Sequence, residues 1–211
     1  MSLRIIILSL MIGLGLSALA KGDYTDPYKG YDEVAFMELD LESNLSLPEV
    51  SESCHQAITQ YINRIATDLA KRKYTVDLLR DDEVILITIP TDDLFFPNDT
   101  LLSSSAPAKL QPVIDLLSLP YMYKVVYGVH TDNTGSPFYN MELSHKRNSS
   151  IYDYLLDHVS DDQIVIPYEY GDTDPIEPNN TRQGRRDNRR LELYLVPGPK
   201  MIEMAHKKTL H

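Results

Sequence analysis

A two-layer α/β sandwich, with a mixed β-sheet and its helices packed on one face, is the fold this 211-residue chain predicts. Three observations lead there. Apolar runs with strand character alternate along the chain with segments of 3.6-residue periodicity. One pair of β-rich runs is separated by only three polar residues and must be an antiparallel hairpin, whereas later strands are joined through helices long enough for parallel crossovers. Hydrophobic residues make up 43% of the chain against 24% charged, enough to bury a core and too apolar for global disorder.

Residues 1–20 are set apart from that fold. Arg4 is followed by an apolar run from Ile5 to about Leu16, then by Ala18-Leu19-Ala20, the small-x-small shape a signal peptidase accepts. The expectation is an exported protein cleaved after Ala20. Lys21, where a lipoprotein would carry Cys, implies no lipid anchor. Residues 21–50 read as an acidic arm or linker, rich in Asp and Glu and punctuated by Pro27, Gly30 and Pro48. Within it, Val34 to Leu41 alternates weakly and could add an edge strand.

The domain itself is expected over residues 51–199. Ala57, Ile58, Tyr61, Ile62, Ile65 and Leu69 recur at three and four, predicting a helix capped near Ser51 or Ser53 and closed by Lys71-Arg72-Lys73. Tyr74–Leu79 and Glu83–Ile89 form the hairpin around Arg80-Asp81-Asp82. After the loop Leu94–Thr100, a second helix shows Leu110, Val113, Ile114 and Leu117 on one face. Pro107 suits its first turn, and Pro112 should kink it or delay its start. A strand at Tyr123–Val129, a third helix from about Asn140 to His158 and a strand at Gln163–Tyr170 follow. A polar loop from Gly171 to Asp187, a last strand at Arg190–Val196 and a terminal helix near Lys200–Lys208, in a tail of residues 200–211, complete the order.

Charge narrows the function. A net charge of −11 disfavours non-specific nucleic-acid binding, which needs a basic face to displace counterions from phosphates. It equally disfavours attraction to anionic lipid. The single cysteine, Cys54, excludes an internal disulfide and any multi-cysteine metal site, and burial is its expected state. No cofactor or metal is called for: His130 and Asp132 find no third ligand at sensible spacing. His130, Asp132 and Ser144 are residue types of a hydrolytic triad, but no nucleophile elbow surrounds Ser144, so a binding protein rather than an enzyme is expected.

One residue breaks the hydrophobic pattern in an informative way. Leu143, Ile151 and Leu155 mark the buried stripe of the third helix, and Arg147 lies on that same line, four residues from Leu143 and from Ile151. A guanidinium there is costly unless it is paired, with an internal carboxylate or with one belonging to a ligand, or unless it snorkels at the stripe's edge. The strand-to-helix loop His130-Thr131-Asp132-Asn133-Thr134-Gly135-Ser136 sits where α/β folds place ligands, and Asp132 offers a carboxylate.

His130 to Ser136, then Asn140 and Leu143-Ser144-x-x-Arg147, resemble the signature of the OmpA-like C-terminal domain. Gly171-Asp172-Thr173-Asp174-Pro175, Asn179-Asn180-Thr181, Gly184-Arg185 and Asn188-Arg189-Arg190-Leu191-Glu192 match that family's closing segment, and Leu94-Phe95 with Leu102–Ala106 its opening. The resemblance covers roughly residues 83–196. It implies non-covalent binding of peptidoglycan in the periplasm of a Gram-negative cell, through the diaminopimelate of the stem peptide and in support of envelope integrity. By position, Asp132 would hold the ligand's ammonium and Arg147 its carboxylate. Asn140 would hold the loop or reach the peptide. Thr131, Leu143 and Asn98 join the expected set, with Arg189 or Arg190 lining the same groove. Only one of that arginine pair can point inward, because alternate strand residues face opposite ways. The chain departs from the family pattern at Val129, at Asn148 and in the Phe95–Asp99 loop. The alternative reading is an envelope adaptor of the same fold, with a drifted groove, binding an outer-membrane or other envelope protein through the acidic arm.

Overall fold

The computed structural model describes residues 28–29 and 33–211, so the signal-sequence expectation for residues 1–20 lies outside the described residues. Five strands form one sheet in the order β1-β2-β5-β3-β4, with β1 Thr75–Leu79, β2 Val84–Pro90, β3 Tyr123–His130, β4 Val165–Gly171 and β5 Arg190–Pro197. The β1–β2, β2–β5 and β3–β5 pairings are antiparallel and β3–β4 is parallel, so the sheet is mixed as expected. The β1–β2 turn places Arg80, Asp81 and Asp82 at φ of 56°, 54° and 66°.

Three helices supply the main second layer. In α3 (Glu52–Lys71) the buried residues Cys54, Ile58, Ile62 and Ala66 recur at every fourth position and Leu69 continues the stripe. Cys54 is buried, as expected. Helix α4 (Ala106–Leu116) buries Ala106, Leu110, Val113 and Ile114. It runs on through Pro112 from Ala106, so the proline does not delay its start. Helix α5 (Pro137–Leu156) begins three residues before the expected Asn140, because Ser136 caps it by accepting from the Tyr139 N–H at 3.2 Å and Pro137 occupies its first turn.

Alternation within β3 fixes which layer lies on which face. The Tyr127 hydroxyl donates to the Asn148 carbonyl of α5 at 3.1 Å, so the odd-numbered residues of β3 face the helical layer. Lys124 therefore points to the opposite face, and that face is covered too. The segment read as an acidic arm with an edge strand contains instead two short helices, α1 (Glu33–Met37) and α2 (Leu41–Leu45), folded against the sheet. Asp40 caps α2 by accepting from the Ser43 N–H at 2.8 Å. Asn44 is buried and donates to the Phe36 carbonyl and to the Tyr168 hydroxyl of β4, at 2.8 and 2.7 Å. Lys124 itself is 1% exposed; its Nζ lies 4.5 Å from the Phe36 ring centroid and 3.4 Å from Asn44 Oδ1. Phe36 and Leu45 were too few apolar residues, in helices too short, to show a period.

The polar loop expected from Gly171 to Asp187 likewise closes with a helix, α6 (Arg182–Asn188). It has no apolar face. Thr181 caps it by accepting from the Gly184 N–H at 2.9 Å. The buried Asn188 accepts from the N–H groups of Ile176 and Glu177, each at 2.9 Å, and donates to the Glu177 carbonyl at 2.7 Å. At the C-terminus α7 (Pro199–His206) packs on α3, burying Met201, Ile202 and Ala205, so those residues belong to the fold rather than to a tail. Among the described residues no helix is long and apolar enough to cross a membrane.

Candidate functional site

The site lies where β3 ends. The β3–β4 register shifts between Val129 and His130, and the Thr131 N–H reaches the Gly171 carbonyl at 2.7 Å. Gly171 takes φ +52°, a conformation that favours glycine. Ser144 of α5 staples this irregular edge by donating to the Val129 carbonyl at 2.7 Å and accepting from the Tyr170 N–H at 3.3 Å. Its hydroxyl is thus committed to the backbone. Beyond β3 the chain turns: Asp132 Oδ1 accepts from the Thr134 N–H at 2.9 Å, and Asn140 Nδ2 donates to the Gly135 carbonyl at 3.3 Å. The second of these is the loop-holding contact expected of Asn140.

Facing this turn are the 3₁₀ segment Thr91–Asp93 and the loop Phe95–Asp99. Between the two walls opens a cavity of about 500 Å³, within the range of small-ligand sites. Asn98, Thr131, Asp132, Asn140, Leu143, Arg147 and Arg189 all line it. These are the expected residues with one exception. Arg190, offered as the other member of the arginine pair, points to the opposite side of the sheet, as the alternation requires. There its Nε donates to Glu192 Oε1 at 2.8 Å, and it is 1% exposed.

Arg147 is 4% exposed, yet among the described residues no carboxylate lies within ion-pair distance of it. Its Nε donates to the Asp99 carbonyl at 2.9 Å, Nη2 makes a long contact to the Phe96 carbonyl at 3.5 Å, and its guanidinium carbon stands 4.8 Å from the Phe95 ring centroid where the side chain lines the cavity. Burial pulls its pKa down, opposed by the Asp92 carboxylate. An arginine stays charged under such a shift. Of the three readings open for this residue, the internal ion pair is the one the geometry removes.

Asp132 is not a free carboxylate. Arg189 Nη1 donates to its Oδ2 at 2.7 Å, while Nε and Nη2 of the same guanidinium grip Asp92 Oδ1 and Oδ2 at 2.9 and 2.8 Å. Burial would raise the Asp132 carboxyl, but the bonds from Thr134 and Arg189 outweigh it and hold its pKa below the ordinary value. Asp92 is lowered chiefly by its bonds from Arg189, whose own pKa is raised by them. The sequence reading missed Asp92, the run Phe95-Phe96-Pro97, Thr134, Tyr139 and Arg185 as lining residues. Arg185 stood in the quoted Gly184-Arg185 pair, a usable signal; Asp92 had none, since its partner lies 97 residues away.

On the far side of β3, His130 stacks on Tyr170 with ring centroids 4.4 Å apart, and its Nε2 lies 3.4 Å from Glu192 Oε2 without a hydrogen bond's alignment. A Cβ at Gly128 would stand 2.6 Å from the Tyr170 ring, so glycine is required there. His130, Asp174 and Glu192 bring ligand-type atoms within 4.8 Å of one another. Arg190 already supplies that cluster's positive charge, with Nη2 at 3.5 Å from Asp174 and Nε at 2.8 Å from Glu192, and so takes the place a metal cation would need.

Residues 94–189 match the model of the OmpA family. An outer membrane protein A from Bordetella avium is 37% identical over 67 residues, which is 32% of this chain and 34% of that protein. A peptidoglycan-binding protein ArfA from Mycobacterium tuberculosis is 34% identical over 86 residues, 41% of this chain and 26% of its own length. The chain thus spans about a third or less of these two relatives. A MotB-like protein from Desulfovibrio vulgaris shares the fold, with a TM-score of 0.58 at 20% identity over 68% of this chain and 95% of that one.

Proposed function

With an OmpA-like domain as the premise, we propose that this chain binds peptidoglycan non-covalently, through the diaminopimelate of the stem peptide. In this reading it is an exported envelope protein of a Gram-negative cell, contributes to envelope integrity and acts without catalysis. One observation carries the reading: Arg147 is buried where it lines the cavity, held by carbonyls and a ring, and among the described residues no carboxylate lies within ion-pair distance of it. A guanidinium so placed, lining an open cavity without an ion-pair partner, is a ready receiver for a carboxylate from outside, and its planar fork matches one. The ammonium of the same zwitterionic head goes to Asp132, which keeps its charge at neutral pH and shares Arg189 with Asp92. What speaks for this reading over the adaptor is that the groove residues remain assembled in one cavity, while the arm expected to recruit a partner buries Phe36 and Leu45 against its own sheet.

The test is competition. The purified protein should co-sediment with diaminopimelate-containing sacculi, and free meso-diaminopimelate should release it. A stem tripeptide with lysine in place of diaminopimelate, whose side chain ends in an ammonium with no carboxylate beside it, should not. Sacculi that leave the protein in the supernatant, or that lysine tripeptide competing equally well, would refute the proposal.

A further inference from the structure

Three guanidiniums and two carboxylates line the cavity, in a chain whose net charge is −11. Arg189 takes up both carboxylates. Arg147 is matched, under the reading above, to one carboxylate of the ligand. Arg185 is left over. It is half-buried in α6, its Nη1 donates to the Asn179 carbonyl at 2.8 Å, and among the described residues no carboxylate lies within ion-pair distance. Its position is fixed from both sides, by the Thr181 cap before it and by the Asn188 bonds after it. A half-buried guanidinium that lines the cavity with no carboxylate of its own is a ready partner for a further anion.

We propose that Arg185 receives a second carboxylate of the same stem peptide, so that the cavity reads its ligand as a dicarboxylate. The proposal rests on the peptidoglycan reading and adds a specificity to it. A stem tripeptide offers two groups of this chemistry besides the one assigned to Arg147. One is the α-carboxylate of the D-glutamate, left free by its γ-linkage, and the other is the carboxylate on the peptide-chain carbon of diaminopimelate. Amidation of the right one removes the charge without changing its shape. If the group is that of D-glutamate, the protein distinguishes amidated from unamidated wall; if it is that of diaminopimelate, it distinguishes stems ending there from longer ones.

Calorimetric titration of the full chain with three probes tests this. The probes are L-alanyl-γ-D-glutamyl-meso-diaminopimelate and its two monoamides, one at each of those carboxylates. The wild type should bind one monoamide about tenfold more weakly than the free tripeptide, or worse, as the loss of a charge-assisted hydrogen bond requires. That monoamide identifies the group. In Arg185→Gln the free tripeptide should fall to the monoamide's level while the monoamide is unchanged, and Arg185→Lys should recover part of the difference. Equal binding of all three by the wild type overturns this inference and leaves the peptidoglycan reading intact. Uniform weakening of all three in Arg185→Gln overturns it as well, since it assigns Arg185 only to holding Asn179. Binding of none of the probes overturns both.

Discussion

Replacing Arg147 by Lys separates a ligand clamp from a charge that the fold merely accommodates. The native side chain makes an Nε bond to the Asp99 carbonyl at 2.9 Å, a long contact from Nη2 to the Phe96 carbonyl at 3.5 Å, and a stack on Phe95 at 4.8 Å. An ammonium can replace one of these while pointing into the cavity, not all three. The structural loss is therefore about 1–2 kcal/mol, one hydrogen bond and part of a cation–π contact. A domain of ordinary stability survives that. Binding suffers more, because a point charge cannot present two parallel N–H groups to a carboxylate. Loss of one charge-assisted bond, at about 1.5–3 kcal/mol, weakens the complex roughly tenfold to hundredfold. Urea unfolding would report the first figure and titration with a diaminopimelate tripeptide the second. Arg147→Lys binding within about threefold of wild type, with its fold intact, would refute the clamp and leave Arg147 a snorkelling residue.

The neighbouring arginines make a contrasting case. Arg190→Met leaves Glu192 buried without its cation and should cost about 3–5 kcal/mol in urea unfolding, with Arg190→Met/Glu192→Met recovering much of it. Lys124 has its pKa lowered to about 8 by burial. At this group the unfolded chain holds more protons than the folded one between about pH 8 and 10.5, a contribution to stability that rises with pH. Buried Tyr127 and Tyr194, whose pKa values burial raises, act in the opposite sense as pH nears 10, so the rise belongs to about pH 8–9. Thermal melts stepped through that range should show the rise in wild type and its absence in Lys124→Met. Cys54 is buried, so a thiol reagent should modify it only on unfolding, and non-reducing gels should show no disulfide-linked dimer.

How far the sequence reached depended on what held each element in place. Elements stabilised by apolar burial were legible: α3 shows its stripe at every fourth residue, and β3, buried along its whole length, is apolar from Val125 to Val129 behind Tyr123 and Lys124. Elements stabilised by polar bonds were not. Helix α6 depends on Thr181 and Asn188, whose side chains carry no period, and α1 and α2 are too short for one. The arm's acidity suggested solvent, yet its few apolar residues and Asn44 are what touch the sheet. Within the site, motif residues close in sequence could be assigned, and the alternation rule showed that Arg189 and Arg190 must part ways. Which of them enters the groove depends on the register of β5 against β2 and β3, a long-range pairing that no local pattern encodes.

The strand order also dictates when the chain can fold. Strand β5 is the last of the five in sequence and the middle one in space, so β1–β2 and β3–β4 share no hydrogen bond until residues 190–197 arrive between them. A nascent chain ending at Asn188 would hold two separate ribbons, each with an unpaired edge, and a groove lacking Arg189. Ribosomes add about 5–20 residues per second, so these edges stay open for seconds before the sheet can close. The closure itself joins segments far apart in sequence, which places it among the slower folding events. Folding is thereby deferred to the completed chain, and truncation just before β5 should yield an aggregating product rather than a smaller domain.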